Sequence, residues 1–192
     1  TPETYDTASI RITGGLLFSD HSGGQVEDQF GILNEDTDVP LFGFRLTPVG
    51  EHATMTALAI DLQSVTRLSD SNLADLRLYH DHDGDRTLSA GAEQVGGTGV
   101  LETTDGGRAG TLTFSDLRAT TTRDYLLIAD VPNVYAVNHL WIDLTVDGVT
   151  ALGDDSLMSP VVDGSVSDVY HKKGRAVTLN AEKPATAGAH IG

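Results

Sequence analysis

One stretch of the chain combines residue types and spacing that imply chemistry: Leu76-Arg-Leu-Tyr-His-Asp-His-Asp-Gly-Asp-Arg-Thr-Leu-Ser-Ala-Gly-Ala-Glu93. Asp81, Asp83 and Asp85 place carboxylates at alternate positions of a turn-forming sequence. Three acids so spaced repel one another unless a cation lies between them. Calcium, a hard ion that takes about six to eight oxygen ligands, suits such a loop. Counting from Asp81, Thr87 falls where a backbone carbonyl serves, Leu88 where the loop anchors, and Ser89 where a hydroxyl or a water binds. Arg86 stands where the turn prefers a glycine with positive φ, and Ala92 where a bidentate acid is usual. Glu93 follows at once and takes that acid's role if the loop is one residue longer. The expectation is a Ca2+ site built from Asp81, Asp83, Asp85, Thr87, Ser89 and Glu93, with altered geometry or weakened affinity. His80 and His82 flank it, but acids dominate, so zinc is the subordinate reading. Asp36, Asp38, Asp105, Asp154 and Asp155 are read as polar turns able to add a cation ligand.

The elements that must hold this loop read as strands. Pro40–Thr47 alternates, with Phe42, Phe44 and Leu46 on one face and Gly43, Arg45 and Thr47 on the other. Thr54–Leu62 follows, with Leu58, Ile60 and Leu62 inward and Met55, Ala57, Ala59 and Asp61 outward. Leu73–His80 feeds the loop, with Leu76 and Leu78 inward. Ala109–Ser115 and His139–Val146 alternate in the same way, and Thr104-Asp-Gly-Gly107 is a hairpin turn. Tyr125–Val131 is a more continuously apolar run, as expected for a central strand. Strand runs recur about every 10–15 residues, without a sustained helical period, which predicts an all-β, antiparallel β-sandwich. The predicted division is an N-terminal arm or strand at 1–20, a sandwich at 21–159 carrying the loop 81–93, and a C-terminal arm at 160–192. Both arms carry short apolar alternations without an obvious local partner.

Composition narrows the function. The 192 residues carry 12 basic and 28 acidic side chains, a net charge of −16 that repels nucleic acid and suits cations. Lysine is confined to positions 172, 173 and 183, a bias that also fits a salty habitat. There is no cysteine, so thiolate metal sites, disulfides and cysteine nucleophiles are excluded. No apolar run approaches the ~20 residues of a spanning helix. No HExxH spacing or Gly-x-Ser-x-Gly elbow marks an enzyme, and the chain is read as non-catalytic.

The stretch Leu76–Ala92 resembles the "LRLYxDxNGDGxxDAGD" segment of immunoglobulin-like β-sandwich modules in bacterial and archaeal surface proteins. Its loop is similar to the calcium loops of dockerins and EF-hands. Phe42-Gly-Phe-Arg-Leu-Thr, Leu58-Ala-Ile-Asp-Leu, Thr111-Leu-Thr-Phe and Tyr125-Leu-Leu-Ile-Ala stand in the order those modules show, so the resemblance spans roughly residues 40–150. Where the family carries acids at the ninth and twelfth loop positions, this chain has Ser89 and Ala92. The resemblance implies an extracellular, non-catalytic, immunoglobulin-like sandwich with a calcium-stiffened loop.

Two functions follow as expectations. The first is a secreted or cell-surface structural subunit, a homo-oligomer or polymer of a layer, filament or tubule, joined through its terminal strands. The alternative is an accessory or carbohydrate-binding module of a larger secreted protein, with Trp141, Tyr79 and Tyr125 as the aromatic candidates.

Overall fold

The computed structural model describes residues 14–30, 36–63, 72–106, 108–132 and 139–172. Two sheets, paired almost entirely antiparallel, enclose one apolar core. In chain order the strands are β1 (Gly15–Asp20), β2 (Asp36–Val49), β3 (Ala53–Gln63), β4 (Ala74–Asp81), β5 (Gln94–Val95), β6 (Val100–Thr104) and β7 (Ala109–Phe114). They continue as β8 (Leu117–Ala119), β9 (Arg123–Val131), β10 (His139–Asp143), β11 (Val149–Gly153), β12 (Val161–Gly164) and β13 (Val169–Lys172). The first sheet runs β12-β1-β2-β9-β4-β5, and the second β13-β10-β3-β7-β6 with β8 and β11 also on β3. The parallel exception is β1 against β12.

The core is filled by the alternation the sequence shows. Phe42, Phe44 and Leu46 of β2 meet Leu58, Ile60 and Leu62 of β3, all buried, with Leu112, Phe114, Leu140 and Ile142. Each such side chain contributes about 1.5–3 kcal/mol by leaving water. Met55 departs from the expected face and is fully buried. The cause is a register shift: Thr150 pairs with Ala57 but Ala151 with Met55, so Thr56 is an extra residue that inverts the alternation below it. The expected hairpin joins β6 and β7, with Asp105 and Gly106 both at positive φ, 50° and 66°, and the Arg108 N–H donating to the Thr104 carbonyl at 3.2 Å.

β9 is buried on both faces. Tyr125 and Leu127 enter the main core, while Leu126 and Ile128 form a second cluster with Val26, packed by Tyr79 and Leu88. The segment after β1 therefore covers the outer face of the first sheet, and Leu88 anchors the aspartate loop to that cover.

The expectation that the terminal segments lack local partners does not hold where they are described. β1 pairs with β2 and β12, burying Leu16 and Phe18, and β13 pairs with β10. Residues 1–13 and 173–192 of the expected arms lie outside the described residues. No helix among the described residues is long and apolar enough to cross a membrane.

Candidate metal centre

The loop leaves β4 at its last residue, Asp81. In an extended chain successive side chains point to opposite sides. Leu76, Leu78 and His80 therefore face the core side of the sheet, while Asp81 faces the outer side, directly opposite Asp124 of β9. Two buried carboxylates thus face each other across one rung, and each has a separate partner. Arg45 donates two hydrogen bonds to Asp124, from Nε to Oδ1 at 3.0 Å and from Nη2 to Oδ2 at 2.8 Å. The Ser22 N–H and hydroxyl add 2.9 and 2.8 Å bonds to the same carboxylate. Burial pushes the Asp124 carboxyl up, but Arg45 and Ser22 outweigh it and hold it at about 2.

Asp81 is held by neutral donors instead. Its Oδ1 accepts the Gly84 N–H at 3.0 Å, and its Oδ2 accepts the Arg86 N–H at 3.0 Å. The third donor is His21, whose Nε2 lies 2.9 Å from Oδ2. His21 Nδ1 accepts the Gly23 N–H at 3.0 Å, so the ring proton sits on Nε2 and is donated to Asp81. Oδ2 spends its two lone pairs on these bonds, while Oδ1 keeps one for an ion. The i+3 and i+5 bonds wrap the chain around the Asp81 carboxylate. They require φ of 72° at Gly84 and 64° at Arg86. Arg86 thus takes the left-handed conformation that its loop position demands, without being glycine. A Cβ on Gly23 would sit 2.5 Å from the Gly84 carbonyl oxygen, so this glycine lets the 21–25 segment lie against the loop.

Carboxylate oxygens of Asp81, Asp83 and Asp85 come within 4.8 Å of one another. Asp83 is held below the ordinary carboxylate range, first by its hydrogen-bonding contact with the Asp81 carboxyl and then by the Asp85 backbone and the Ser89 hydroxyl. Ser89 Oγ donates to Asp83 Oδ2 at 3.2 Å. Thr87 donates its N–H and hydroxyl to Asp85 Oδ1 at 2.8 and 2.7 Å. Thr87 and Ser89 thus orient the acids through their donors. The Arg86 guanidinium turns away and donates to the Gln25 carbonyl at 2.8 Å. No lysine or arginine among the described residues pairs with Asp81, Asp83 or Asp85. The donor set is hard oxygen, which fits calcium.

Glu93, expected to close this set, lies elsewhere. Tyr79 pairs with Gln94 in β4–β5, and the His80 N–H donates to the Glu93 carbonyl at 2.9 Å. That register sets Glu93 opposite His80, and its ligand oxygen lies within 4.8 Å of nitrogens of His80 and His82. The two rings stand 3.9 Å apart, centroid to centroid. Burial, then Arg123 and His82, push the His80 imidazole below its usual value. A pocket of about 160 Å³ opens between these histidines and the loop, lined also by Tyr79, Leu88 and Leu126.

Two of the other acidic turns carry an arginine partner. Asp38 meets Arg77 at 2.8 Å, and Asp154 meets Arg118 at 2.7 Å. Asp105 lies at the β6–β7 hairpin, and the Asp36 side chain lies outside the described residues. Of the aromatic candidates, Tyr125 is buried in the core and Tyr79 packs on the first sheet, whereas Trp141 lies on the outer face of the second. Trp141 instead meets Tyr170, its cross-strand partner, at 5.3 Å between ring centroids. His21, Ser22, Arg45 and Asp124 escaped the sequence reading, because their pairings with Asp81 and with one another span tens of residues and no local pattern marks them.

No protein-family model matches the chain, and no curated protein matches it. Among solved structures it is similar to AvmM, which catalyzes macrocyclization in alchivemycin A biosynthesis, at 9% identity and a TM-score of 0.36, covering 85% of this chain and 90% of that one. It is also similar to a chain of the CaDoc0917–CaCohA2 complex at 11% identity and a TM-score of 0.30, covering 83% of this chain and 99% of that one. Likenesses this remote carry no argument about function.

Proposed function

We propose that the chain is an extracellular, non-catalytic structural module, an immunoglobulin-like sandwich stiffened by calcium and built into a cell-surface layer, filament or tubule. One observation carries the calcium reading. Asp38, Asp124 and Asp154 each meet an arginine, while Asp81, Asp83 and Asp85 crowd together and the loop's own arginine points elsewhere. Bound calcium would offset two of the three carboxylate charges and tie the long β4–β5 connection to the strand end. Self-association is the further part of the reading. Among the described residues β12 and β5 end one sheet and β13 and β6 the other, and open edges of this kind accept an added strand. Chelation followed by thermal melting and electron microscopy tests both parts. Loss of ordered assemblies together with a lowered melting temperature supports them. A monomer with unchanged melting rejects both.

A second reading, an accessory carbohydrate-binding module, is favoured by one patch. Trp141 and Tyr170 are 37% and 41% exposed, and His139 stands 5.9 Å from the Tyr170 ring. Flat aromatic faces at a sheet surface suit stacking on a sugar ring. Glycan-array binding that disappears in Trp141→Ala and Tyr170→Ala would favour this reading over the first.

A further inference from the structure

We infer that His80, His82 and Glu93 form a second metal site, for a divalent transition ion of the zinc class, with Arg123 as its built-in competitor. The site follows from the alternation His80-Asp81-His82-Asp83 at the end of β4. Within the strand, Asp81 faces the outer side and His80 the other, and the chain then bends at His82 and Asp83. The antiparallel register then adds one carboxylate from across the ladder, Glu93, fixed by the 2.9 Å backbone bond at His80. Strand register sets His80 and Glu93 opposite each other, and His82 joins them from the bend just past the strand end. Their ligand atoms already lie within 4.8 Å of one another.

The donors decide the ion. Two imidazole nitrogens and one carboxylate are borderline-soft, the set that binds zinc and its neighbours through three protein ligands and leaves a position for water. The aspartate group offers oxygen alone and suits calcium. One strand end thus presents two neighbouring ligand sets of different hardness.

Arg123 now fills the place of a cation. Its Nη1 lies 3.1 Å from His80 Nδ1 and 3.9 Å from Glu93 Oε2. A guanidinium only donates, so Nδ1 is the acceptor. Metal binding must end this bond whichever ring nitrogen is used. If Nδ1 binds, its lone pair goes to the ion. If Nε2 binds, Nδ1 carries the ring proton and cannot accept. Arg123 has somewhere to go, because its side chain is 35% exposed and its Nε already donates to Thr121 Oγ1 at 3.2 Å.

The inference stands apart from the calcium reading, since no ligand is shared. The test is calorimetric titration of Zn2+ into a tag-free, calcium-saturated chain, with calcium-dependent melting recorded for every variant. His82 and Glu93 are exposed, so replacing them leaves the packed core alone. Wild type should bind one zinc per chain. His82→Ala and Glu93→Gln should each weaken it by at least about 10-fold, the scale seen even for outer-shell changes at metal sites. Arg123→Met should tighten it, and all three variants should keep the calcium response. Absence of zinc binding overturns the site, as does zinc binding lost in Asp83→Asn but kept in His82→Ala. Weaker binding in Arg123→Met overturns the competitor role.

Discussion

The turn at Gly153–Ser156 and the loop at Asp81–Asp85 each follow a strand, and each crowds carboxylates. In the turn one carboxylate, that of Asp154, meets a guanidinium, and Glu51 beside it takes neutral donors. Asp154 accepts from Arg118 Nε at 2.8 Å and from the Thr54 hydroxyl at 2.9 Å. Glu51 reaches in from the β2–β3 connection and accepts the N–H groups of Asp155 and Ser156 at 2.9 and 2.8 Å, and of Gly14 at 3.2 Å. In the loop the donors are neutral: backbone N–H groups, two hydroxyls and the Nε2–H of His21. Neutral donors orient the carboxylates and leave their summed charge in place. Acidic composition is therefore a poor guide to a cation site. The discriminating question is where the nearest guanidinium points, and in the loop it points to Gln25.

The largest effect expected from this contrast is calcium-linked. Calcium at about 100 times its dissociation constant should stabilise the chain by about 2.7 kcal/mol, read as a raised melting temperature. Asp83→Asn should abolish that gain and leave the chelated protein unchanged, because Asp83 is exposed. Asp154→Asn should lower stability slightly with and without calcium, through its lost pairing with Arg118. An equal loss of the calcium response in both variants would break the contrast. Next in size is His21→Ala. Asp81 is buried, and without the Nε2 donor it keeps only two backbone bonds, so urea unfolding should show a loss of about 1–3 kcal/mol in chelated protein. Unchanged stability would mean that the backbone donors alone hold the carboxylate.

Much of the architecture was legible because period-2 alternation is a local property. Phe42-Gly-Phe-Arg-Leu and His139–Ile142 show their buried faces directly, and Asp105-Gly106 shows its turn. Met55 was not legible, since one extra residue at Thr56 inverts the pattern and only the pairing with β11 reveals it. The aspartate trio was legible for the same local reason. Glu93 was not, because counting along a helix-type calcium loop carries it to the aspartates. A loop that leaves a strand obeys cross-strand register instead, and that register delivers Glu93 to His80. His21 contacts Asp81 across 60 positions, and Gly43 makes room for it: a Cβ there would sit 3.2 Å from the His21 Cβ. A glycine between two core phenylalanines was the trace of that contact in the sequence, with nothing to say what it admits.

The smallest effect tests the turn side of the comparison through acid. Glu51 is held at about 2, below its ordinary 4.5, chiefly by the hydroxyl and N–H of Ser156, with the Asp155 and Gly14 N–H groups adding to them. A carboxylate with a lowered folded value contributes stability that is complete above 4.5. That contribution is lost as pH falls from 4.5 toward 2, where the unfolded chain binds the proton first. Asp124, also at about 2, titrates in the same window, so the wild-type acid limb alone assigns nothing to either residue. Glu51→Gln separates them. Its amide oxygen still accepts an N–H but carries no charge, so the variant should melt slightly lower at pH 7. The gap to wild type should then close between pH 4.5 and 2. A gap that is constant with pH would reduce Glu51 to packing and leave the turn without its charged clamp. A gap that closes on adding calcium at pH 7 would place a cation at the turn as well, and the guanidinium rule drawn from the two regions would fail.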